Sequence, residues 1–396
     1  MLKNYLHSVL LDCHGQLRDS FALGLLLLMT VNVLIIVTRI FKSVNPGKLL
    51  LRTVFKLAVK ETYLNNKIRE ACADLHKAKD AGLTQMTQMP DAMPVEVISA
   101  RIADIKAMDT VQEATGKVGG NFYAPYAGGH KEYVCSAAAP FLYANTMHFD
   151  SNKGALQMEN EVIAWMLDLF HAPAGAVGTV TSGGTESIFQ AVLAYREIAR
   201  ARGIKHPEIV LNESTHVAFL KAGFYLGVKV VVLPIDYNTG LSKLEDFRAA
   251  INERTIAVVA SGANYGHGLV DQSEELNEML KNTDVYIAID SCLGGFTTSI
   301  SHKLNDKRFP VLDFRLERVG TISVDPHKYG EGPKGCSVIL FRDEALKKGT
   351  VYVSREWTGG VYATATIAGS RGAAAMVGCW VSMAKIGMDG FIAAYK

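Results

Sequence analysis

Residues 321–338 read TISVDPHKYGEGPKGCSV, and the rest of the chain is interpreted around this segment. A β-branched, apolar run leads into Asp325-Pro-His-Lys-Tyr-Gly330, a glycine-rich turn follows, and a second strand-like run covers residues 336–341. The pattern predicts two strands joined by a turn that carries His327 and Lys328. A lysine in a rigid, partly dry pocket has a lowered pKa and can attack a carbonyl carbon. This segment alone is equally compatible with a surface turn.

The composition is that of a globular protein. The chain has 396 residues, of which 49% are hydrophobic and 20% charged, and its net charge is +2. This length allows two or three domains, and the charge balance favours neither a nucleic-acid partner nor disorder. No C-x-x-C pair occurs, so free thiols in a reducing compartment fit better than disulfides or a zinc site. The six cysteines are Cys13, Cys72, Cys135, Cys292, Cys336 and Cys379.

The N-terminal region contains a candidate membrane span. Residues 21–37, FALGLLLLMTVNVLIIV, are uncharged and apolar, and the span extends to about residue 41. A buried core helix and a signal peptide are the alternatives, but no small-residue cleavage site follows. Basic residues are more numerous after the span than before it, which predicts a lumenal segment 1–20 and a cytosolic body. They are Lys3 and Arg18 before the span, and Arg39, Lys42, Lys48, Arg52, Lys56 and Lys60 after it.

Beyond the span, residues 42–94 are predicted to form a juxtamembrane linker and helix. Strand-like and helix-like runs then alternate from about residue 208 to Asp290. This order predicts an α/β fold with a mostly parallel sheet, helices on both faces, and a site at the strand ends.

A glycine-rich turn at residues 178–187, GTVTSGGTES, runs into an apolar helix. Free backbone N–H groups at a helix start, beside glycines that allow close approach, can bind a phosphate. A capping turn without a ligand is the alternative. The turn lacks the lysine of a Walker loop, which argues against a nucleoside triphosphate.

The glycine-rich turn, His216, Asp290 and Lys328 all fall at strand ends or helix starts of one predicted sheet. Together they offer an anion seat, a flat group for stacking, a carboxylate and an amine. Pyridoxal phosphate requires these partners, because it carries a phosphate, an aldehyde and a basic ring nitrogen.

Four motifs resemble the sphingosine-1-phosphate lyases, a family of fold type I (aspartate-aminotransferase-like) enzymes related to the group II decarboxylases that depend on pyridoxal phosphate. They are TSGGTES (181–187), IDSCLGGF (289–296), DPHKYG (325–330), and GGVYA (359–363) with TIAGSR (366–371). The resemblance implies a large cofactor-binding domain over residues 95–370. It also implies that residues 371–396 begin a connection to a C-terminal small domain, which this chain is expected to lack.

The resemblance also assigns roles to the central residues. Lys328 binds the cofactor covalently, Asp290 pairs with the pyridine nitrogen and keeps it protonated, and His216 stacks on the ring. From the residues alone, His216 remains open to interpretation as a helix cap. The cofactor phosphate is expected to contact Gly184 and Thr185, with His327 close by.

Four further positions take roles from the resemblance. Asn145 and His148 are expected near the phosphate groups, Tyr123 in acid–base chemistry, and Lys334 facing the substrate phosphate. The residues alone also allow an ordinary loop aromatic at Tyr123 and a solvated turn lysine at Lys334.

The sequence departs from the family pattern at three places near the site: Pro326, Ala288 and the pair Glu331-Gly332. A carboxylate at Glu331, beside a lysine that binds phosphate, would weaken substrate affinity.

The resemblance implies a lyase of sphingolipid breakdown. It would cleave a phosphorylated long-chain sphingoid base to a long-chain aldehyde and phosphoethanolamine by retro-aldol chemistry. The expected setting is a homodimer, held in the endoplasmic reticulum membrane by one span with its catalytic part in the cytosol, without nucleic acid or metal. The alternatives are a group II amino-acid decarboxylase acting as a carboxy-lyase, and an inactive truncated homologue.

Overall fold

The computed structural model describes residues 62–63, 65–70, 88–107, 128–148 and 150–396. These residues belong to two compact units, Met1–Thr110 and Val111–Lys396. The predicted segment 1–20, the predicted span 21–41 and Tyr123 lie outside the described residues. In the first unit, helix α1 (Val95–Lys106) begins directly after Pro94, has Glu96 in its first turn and Lys106 in its last, and contains no buried residue. This charge order favours a helix because it complements the helix dipole.

The second unit contains nine further described helices and nine strands. The helices are α2 (His130–Ala138), α3 (Lys153–Leu169), α4 (Gly184–Ala201), α5 (Ala218–Leu226), α6 (Leu244–Ala250), α7 (Ser273–Leu280), α8 (Gly295–Lys303), α9 (Glu344–Lys348) and α10 (Ala374–Tyr395), with a 3-10 turn at Ala139–Phe141. The strands are β1 (Val177–Thr181), β2 (Glu208–Asn212), β3 (Lys229–Leu233), β4 (Thr255–Ser261), β5 (Tyr286–Ser291), β6 (Val319–Val324), β7 (Ser337–Phe341), β8 (Tyr352–Ser354) and β9 (Tyr362–Thr364).

Seven strands form one sheet in the order β1-β7-β6-β5-β4-β2-β3, and β8 and β9 form a separate hairpin. Neighbouring strands from β3 to β6 are parallel, whereas β7 is antiparallel to both β6 and β1. The carboxyl ends of β1, β2, β4, β5 and β6 therefore meet at one edge, where an open α/β sheet binds its ligands.

Successive strand residues face opposite sides of the sheet and pack into two apolar cores. On β2, Val210 faces a core formed with α3, α7, α8 and α10, while Ile209 and Leu211 face a core formed with α4 and α5. Strands buried on both faces are nearly continuously apolar, as VVAS in β4 and IVL in β2 illustrate. The predicted α/β class with a mostly parallel sheet and helices on both faces is confirmed.

Residues 371–396 were interpreted as the start of a connection, and the structure forms α10 over most of them. Helix α10 is long and apolar enough to cross a membrane by composition, the one such helix among the described residues. It packs instead against α2, α3 and α8, and its apolar side joins the core through Met376, Val377 and Cys379. Its composition thus reflects burial within the fold.

Candidate active site

Asp290 lies in the middle of the sheet at the carboxyl end of β5, opposite Ser323 of β6. The residue is only 7% exposed. Its Oδ1 accepts hydrogen bonds from the Cys292 backbone N–H, at 3.1 Å, and from Ser323 Oγ, at 3.3 Å. Both bonds end on Oδ1, and within the described residues Oδ2 remains available to accept from a ligand N–H.

Lys328 lies in the turn after β6, as the sequence predicts, and it forms an ion pair that the sequence analysis did not assign. Its Nζ is 2.9 Å from Oδ2 of Asp325, a carboxylate that is 1% exposed. Burial lowers the pKa of Lys328, but Asp325, Cys292 and Asp290 together raise it above its usual value. The expectation of a lowered pKa is therefore wrong for this structure, because the neighbouring negative charges outweigh desolvation. Because Asp290 contributes to the raised pKa of Lys328, its carboxylate lies close enough to interact electrostatically with the amine.

His327 and Lys334 both lie close to this ion pair. His327 Nε2 is 3.6 Å from Asp325 Oδ2, and burial lowers the pKa of its imidazole despite that carboxylate. Lys334 donates from Nζ to the His327 carbonyl oxygen at 3.2 Å. Burial and the charge of Lys328 lower the pKa of Lys334. Two basic groups beside Lys328 make this region suited to an anion.

The glycine-rich turn joins β1 to α4 and packs directly against the ion pair. A Cβ added at Gly184 would lie 2.8 Å from both Asp325 Oδ2 and Cys292 Sγ, so the position requires glycine. Gly183 faces the His327 ring. Thr185 is exposed in the first turn of α4, where the leading N–H groups have no acceptor within the helix. The backbone at the start of α4 is thereby held next to Lys328.

Side chains on neighbouring elements fix this turn. Thr181 Oγ1 lies 2.7 Å from Ser187 Oγ, which lies 2.8 Å from Ser337 Oγ at the start of β7. Glu186 accepts from the backbone N–H and the hydroxyl of Ser182. These bonds tie the turn to β7, the strand that follows the Lys328 loop.

His216 lies half-buried just before α5, at the end of the turn after β2. Its Nδ1 accepts a hydrogen bond from the Ala218 backbone N–H at 3.1 Å. His216 thus makes the hydrogen bond that the helix-cap interpretation predicts. Since Nδ1 is the acceptor, a neutral ring carries its proton on Nε2. Because capping uses only Nδ1, the faces of the ring remain available for stacking. Within the described residues, no hydrogen bond or ion pair joins His216 to Lys328 or Asp290.

Within the described residues, no hydrogen bond joins Asn145 or His148 to Lys328, Asp325 or Asp290. Asn145 Oδ1 accepts from the backbone N–H groups of Met147 and Arg371, at 3.1 and 3.0 Å, and His148 is exposed. Arg371 pairs with Glu159, at 2.8 Å, and donates to the Val180 carbonyl of β1. Asn145 therefore anchors the TIAGSR segment to the loop before α3, a structural role that the sequence did not reveal.

Pyridoxal phosphate fits the residues of this site. Gly184 leaves no room for a side chain, and it lies against Asp325, the ion-pair partner of Lys328. Asp290 presents an available carboxylate oxygen, and Asp325 Oδ1 is buried without a hydrogen-bond donor among the described residues. Asp325 belongs to the DPHKYG motif, but the motif alone assigns it no function. The available signal was its spacing, because a residue three before a lysine in a tight turn can face it.

Comparisons with known proteins identify the family of this chain. A family model described as the pyridoxal-dependent decarboxylase conserved domain matches residues 134–395. The curated sphingosine-1-phosphate lyase of Saccharomyces cerevisiae is 37% identical over 82% of this chain and 56% of its own length. The sphingosine-1-phosphate lyase of Drosophila melanogaster is 37% identical over 71% of this chain and 51% of its own length. This chain thus spans about half the length of the curated relatives it matches.

Solved structures give the same result. A sphingosine-1-phosphate lyase of Burkholderia pseudomallei superposes with a TM-score of 0.74 at 32% identity, covering 80% of this chain and 74% of that one. A glutamate decarboxylase of Lactobacillus brevis superposes with a TM-score of 0.68 at 22% identity, covering 80% and 73%, which shows the shared fold alone. The chain belongs to the family of pyridoxal-dependent decarboxylases, and within it the chain is similar to the sphingosine-1-phosphate lyases.

Proposed function

We propose that this chain carries the cofactor-binding part of a carbon–carbon lyase. It would act on a phosphorylated long-chain sphingoid base and release a long-chain aldehyde and phosphoethanolamine. The observation that carries the proposal is the buried cluster of Asp290, Asp325 and Lys328 against the glycine-rich turn, in a chain similar to sphingosine-1-phosphate lyases. When bound, pyridoxal phosphate supplies the electron sink that makes cleavage of the carbon–carbon bond accessible.

Asp290 is the residue that would hold a proton on the ring nitrogen. Its Oδ1 accepts hydrogen bonds from the Cys292 N–H and the Ser323 hydroxyl. Its Oδ2 would therefore be the atom that accepts from the ring N–H. A buried carboxylate fixed by two donors keeps its orientation without reorganisation, which is the basis of electrostatic preorganisation.

Lys328 would hold the cofactor through its amine. In this structure its raised pKa favours the ammonium form, yet only the neutral amine attacks a carbonyl carbon. The proton on Nζ must therefore leave first, and the Asp325 carboxylate, with Oδ2 at 2.9 Å, opposes this loss. We assign to Asp325 the role of stabilising the ammonium form of Lys328.

The phosphate groups would bind at two neighbouring places. The start of α4, at Gly184 and Thr185, offers backbone N–H groups and the positive end of the helix dipole to the cofactor phosphate. His327 would adjoin that seat, and Lys334 would face the substrate phosphate. Asn145, His148 and Tyr123 would serve as sequence similarity implies, with His216 stacked on the ring.

The proposal includes a membrane setting. Residues 21–41 would form a single span in the endoplasmic reticulum membrane, with the catalytic part in the cytosol and two copies forming a homodimer. The apolar run and the basic residues after it support the span, and an anchored enzyme suits a substrate with a charged head and an apolar tail. The similarity to the lyases supports the homodimer and the choice of membrane.

One experiment separates the candidate activities. The full chain is purified in detergent, incubated with pyridoxal phosphate and scanned for the visible band of lysine-bound cofactor. Sphinganine 1-phosphate and glutamate are then added in separate reactions, with long-chain aldehyde and carbon dioxide measured. Aldehyde supports the lyase, whereas carbon dioxide from glutamate supports the second candidate, a decarboxylase, which the description of the matching family favours. A chain without the visible band contradicts both enzymatic candidates.

Lys328→Ala provides the site-specific test. We expect loss of both the visible band and aldehyde release, because the variant has no amine at this position. Lys281→Ala is the matched control, since Lys281 lies exposed after α7 and its one ion pair among the described residues is with Glu278. A Lys328→Ala protein that retains the band and turnover would show that another residue holds the cofactor.

A further inference from the structure

Asp271 is a buried carboxylate that neither the sequence nor the proposed function uses. It lies in the loop between β4 and α7 and is 3% exposed. Its two oxygens accept from different strands: Oδ1 from Asn212 Nδ2 at 2.8 Å, and Oδ2 from the Ser261 backbone N–H at 2.7 Å. Burial raises the pKa of Asp271, and the charge of Asp290 adds to the rise. One buried group thus joins the carboxyl ends of β2 and β4.

The contact with Asn212 leads to the turn that carries His216. Asn212 is 1% exposed, and its Oδ1 accepts from Ser214 N–H, Ser214 Oγ and Thr215 Oγ1 at 3.1, 2.8 and 3.1 Å. The amide group of Asn212 is therefore fully oriented: its oxygen holds the turn and its nitrogen must find an acceptor. Asp271 Oδ1 is that acceptor.

The contact with Ser261 leads to the strand that carries Asp290. Ser261 of β4 is the register partner of Asp290 on β5. The next residue, Gly262, donates from its backbone N–H to the Asp290 carbonyl oxygen at 2.7 Å. The backbone N–H of Asp271 also donates to the Ser261 carbonyl oxygen, at 3.0 Å. Asp271 therefore forms two hydrogen bonds with Ser261 at this strand end.

We propose that Asp271 is a positioning residue of the cofactor site, because its carboxylate fixes the turn that carries His216 relative to the strand end that carries Asp290. This inference rests on the proposed function, in which those two residues contact the same ring. A ring stacked on one residue and hydrogen-bonded by its edge to another requires a fixed spacing between them. Asp271 supplies that spacing without touching the ring.

Asp271→Asn tests this arrangement with almost no change in size. The amide has one acceptor oxygen, and it therefore cannot accept from both Asn212 Nδ2 and the Ser261 N–H. Its own N–H₂ group would face one of these two donors, which leaves a buried pair unsatisfied.

The double variant Asp271→Asn with Asn212→Asp restores all of these hydrogen bonds. Only the bond between positions 212 and 271 has its donor and acceptor exchanged. Asn at 271 accepts from Ser261 through its oxygen and donates to Asp at 212, and the new carboxylate accepts from Ser214 and Thr215. The single variant Asn212→Asp places two carboxylates face to face and should be the most damaged of the three.

Two measurements report the effect. The dissociation constant for pyridoxal phosphate is measured from the visible band, and amide hydrogen exchange is followed in peptides covering residues 213–218 without cofactor. We expect Asp271→Asn to weaken cofactor binding about tenfold and to speed exchange in that turn. The double variant should return both properties to within about twofold of the parent.

Asp313→Asn is the matched control, because Asp313 is also a buried carboxylate, 1% exposed, but it binds His171 and Arg315 before β6. It should change neither measurement at the site. The inference is overturned if Asp271→Asn matches this control, or if the double variant restores neither property. Should Asp271→Asn fail to fold, the double variant must still fold and bind cofactor. A parent chain without cofactor binding contradicts the proposed function, whereas unchanged exchange at 213–218 contradicts the positioning role.

Discussion

Lys328 and Asp325 show how one short distance sets the chemistry of a residue. Desolvation alone would favour the neutral lysine, and a neutral lysine would be ready to react. With a carboxylate at 2.9 Å the ammonium form prevails. The pH at which the lysine becomes reactive therefore depends on Asp325 as much as on burial.

Asp325→Asn should lower the pKa of Lys328. Removing the negative charge disfavours the ammonium form, so the neutral amine becomes populated at lower pH. We expect the pH above which the chain takes up pyridoxal phosphate to fall by about one unit. The visible band, recorded as a function of pH, measures this. Asp343→Asn is the control, since Asp343 caps α9 through the Leu346 N–H. An unchanged or higher pH for Asp325→Asn would refute the assignment.

Glu331 occupies a backbone conformation that disfavours its side chain. Its φ is 58°, in the left-handed region, directly after the Lys328 turn. Glu331→Gly should raise the free energy of unfolding by about 1 kcal/mol, because glycine adopts this region without strain. Urea denaturation measures the change. Asn305→Gly, at φ 56°, should gain less, since asparagine tolerates the region. An equal gain, or a loss at Glu331, would show that backbone strain is not the controlling factor.

At the scale of elements, β1 forms one border of the sheet and is protected there by two cations. Lys347 of α9 donates to the Gly178 carbonyl at 2.7 Å, and Arg371 donates to the Val180 carbonyl at 3.2 Å. They line a cavity of about 450 Å³ together with Glu159. An edge strand with satisfied carbonyls is a poor template for pairing with another chain.

Lys347→Met should expose this border while preserving most of the side-chain packing. Loss of the bond to Gly178 should lower the free energy of unfolding by about 1 kcal/mol and increase aggregation. Thermal unfolding and light scattering check both effects. Lys348→Met is the control, because Lys348 is the exposed neighbour on the same helix. If the two variants aggregate alike, edge protection by Lys347 is not supported.

At the scale of the whole molecule, α10 connects parts of the second unit that are distant in sequence. Trp380 stacks on Trp165 of α3 with ring centroids 5.7 Å apart, and its Nε1 donates to Glu161. The same helix holds Ser382, whose hydroxyl bonds both His130 and the Gly330 carbonyl in the Lys328 loop. Packing of α10 therefore supports the loop that presents the lysine.

Trp380→Ala should destabilise the protein by about 2 kcal/mol, through lost burial, lost stacking and the lost hydrogen bond to Glu161 Oε2. Chemical denaturation followed by far-ultraviolet circular dichroism measures it. Trp357→Ala is the control and should change stability by less than about 0.5 kcal/mol, since Trp357 is 58% exposed. Comparable losses would mean that the stack contributes little.

The sequence predicts the parts of this fold that depend on local pattern. The alternation between residues 208 and 290 predicts β2 to β5 and their helices, because period and length are local properties. Helix α10 was not predicted, since its apolar residues are explained only by the three helices that bury it. At the site, the chemistry of Lys328 and Asp290 is visible in motifs, whereas the network of Asp271 and Asn212 joins residues 59 positions apart. Such contacts exist only after folding.

The position of β7 has a consequence for synthesis of the chain. Among the described strands, β1 pairs with β7 alone, and Val177 pairs with Phe341. Pairing across so long a sequence separation is slow and cannot begin before the later strand exists. On the ribosome, the segment that ends in the glycine-rich turn must wait for most of the protein to emerge. We therefore expect a nascent chain halted before residue 337 to retain no coenzyme, even though Lys328 has already been translated.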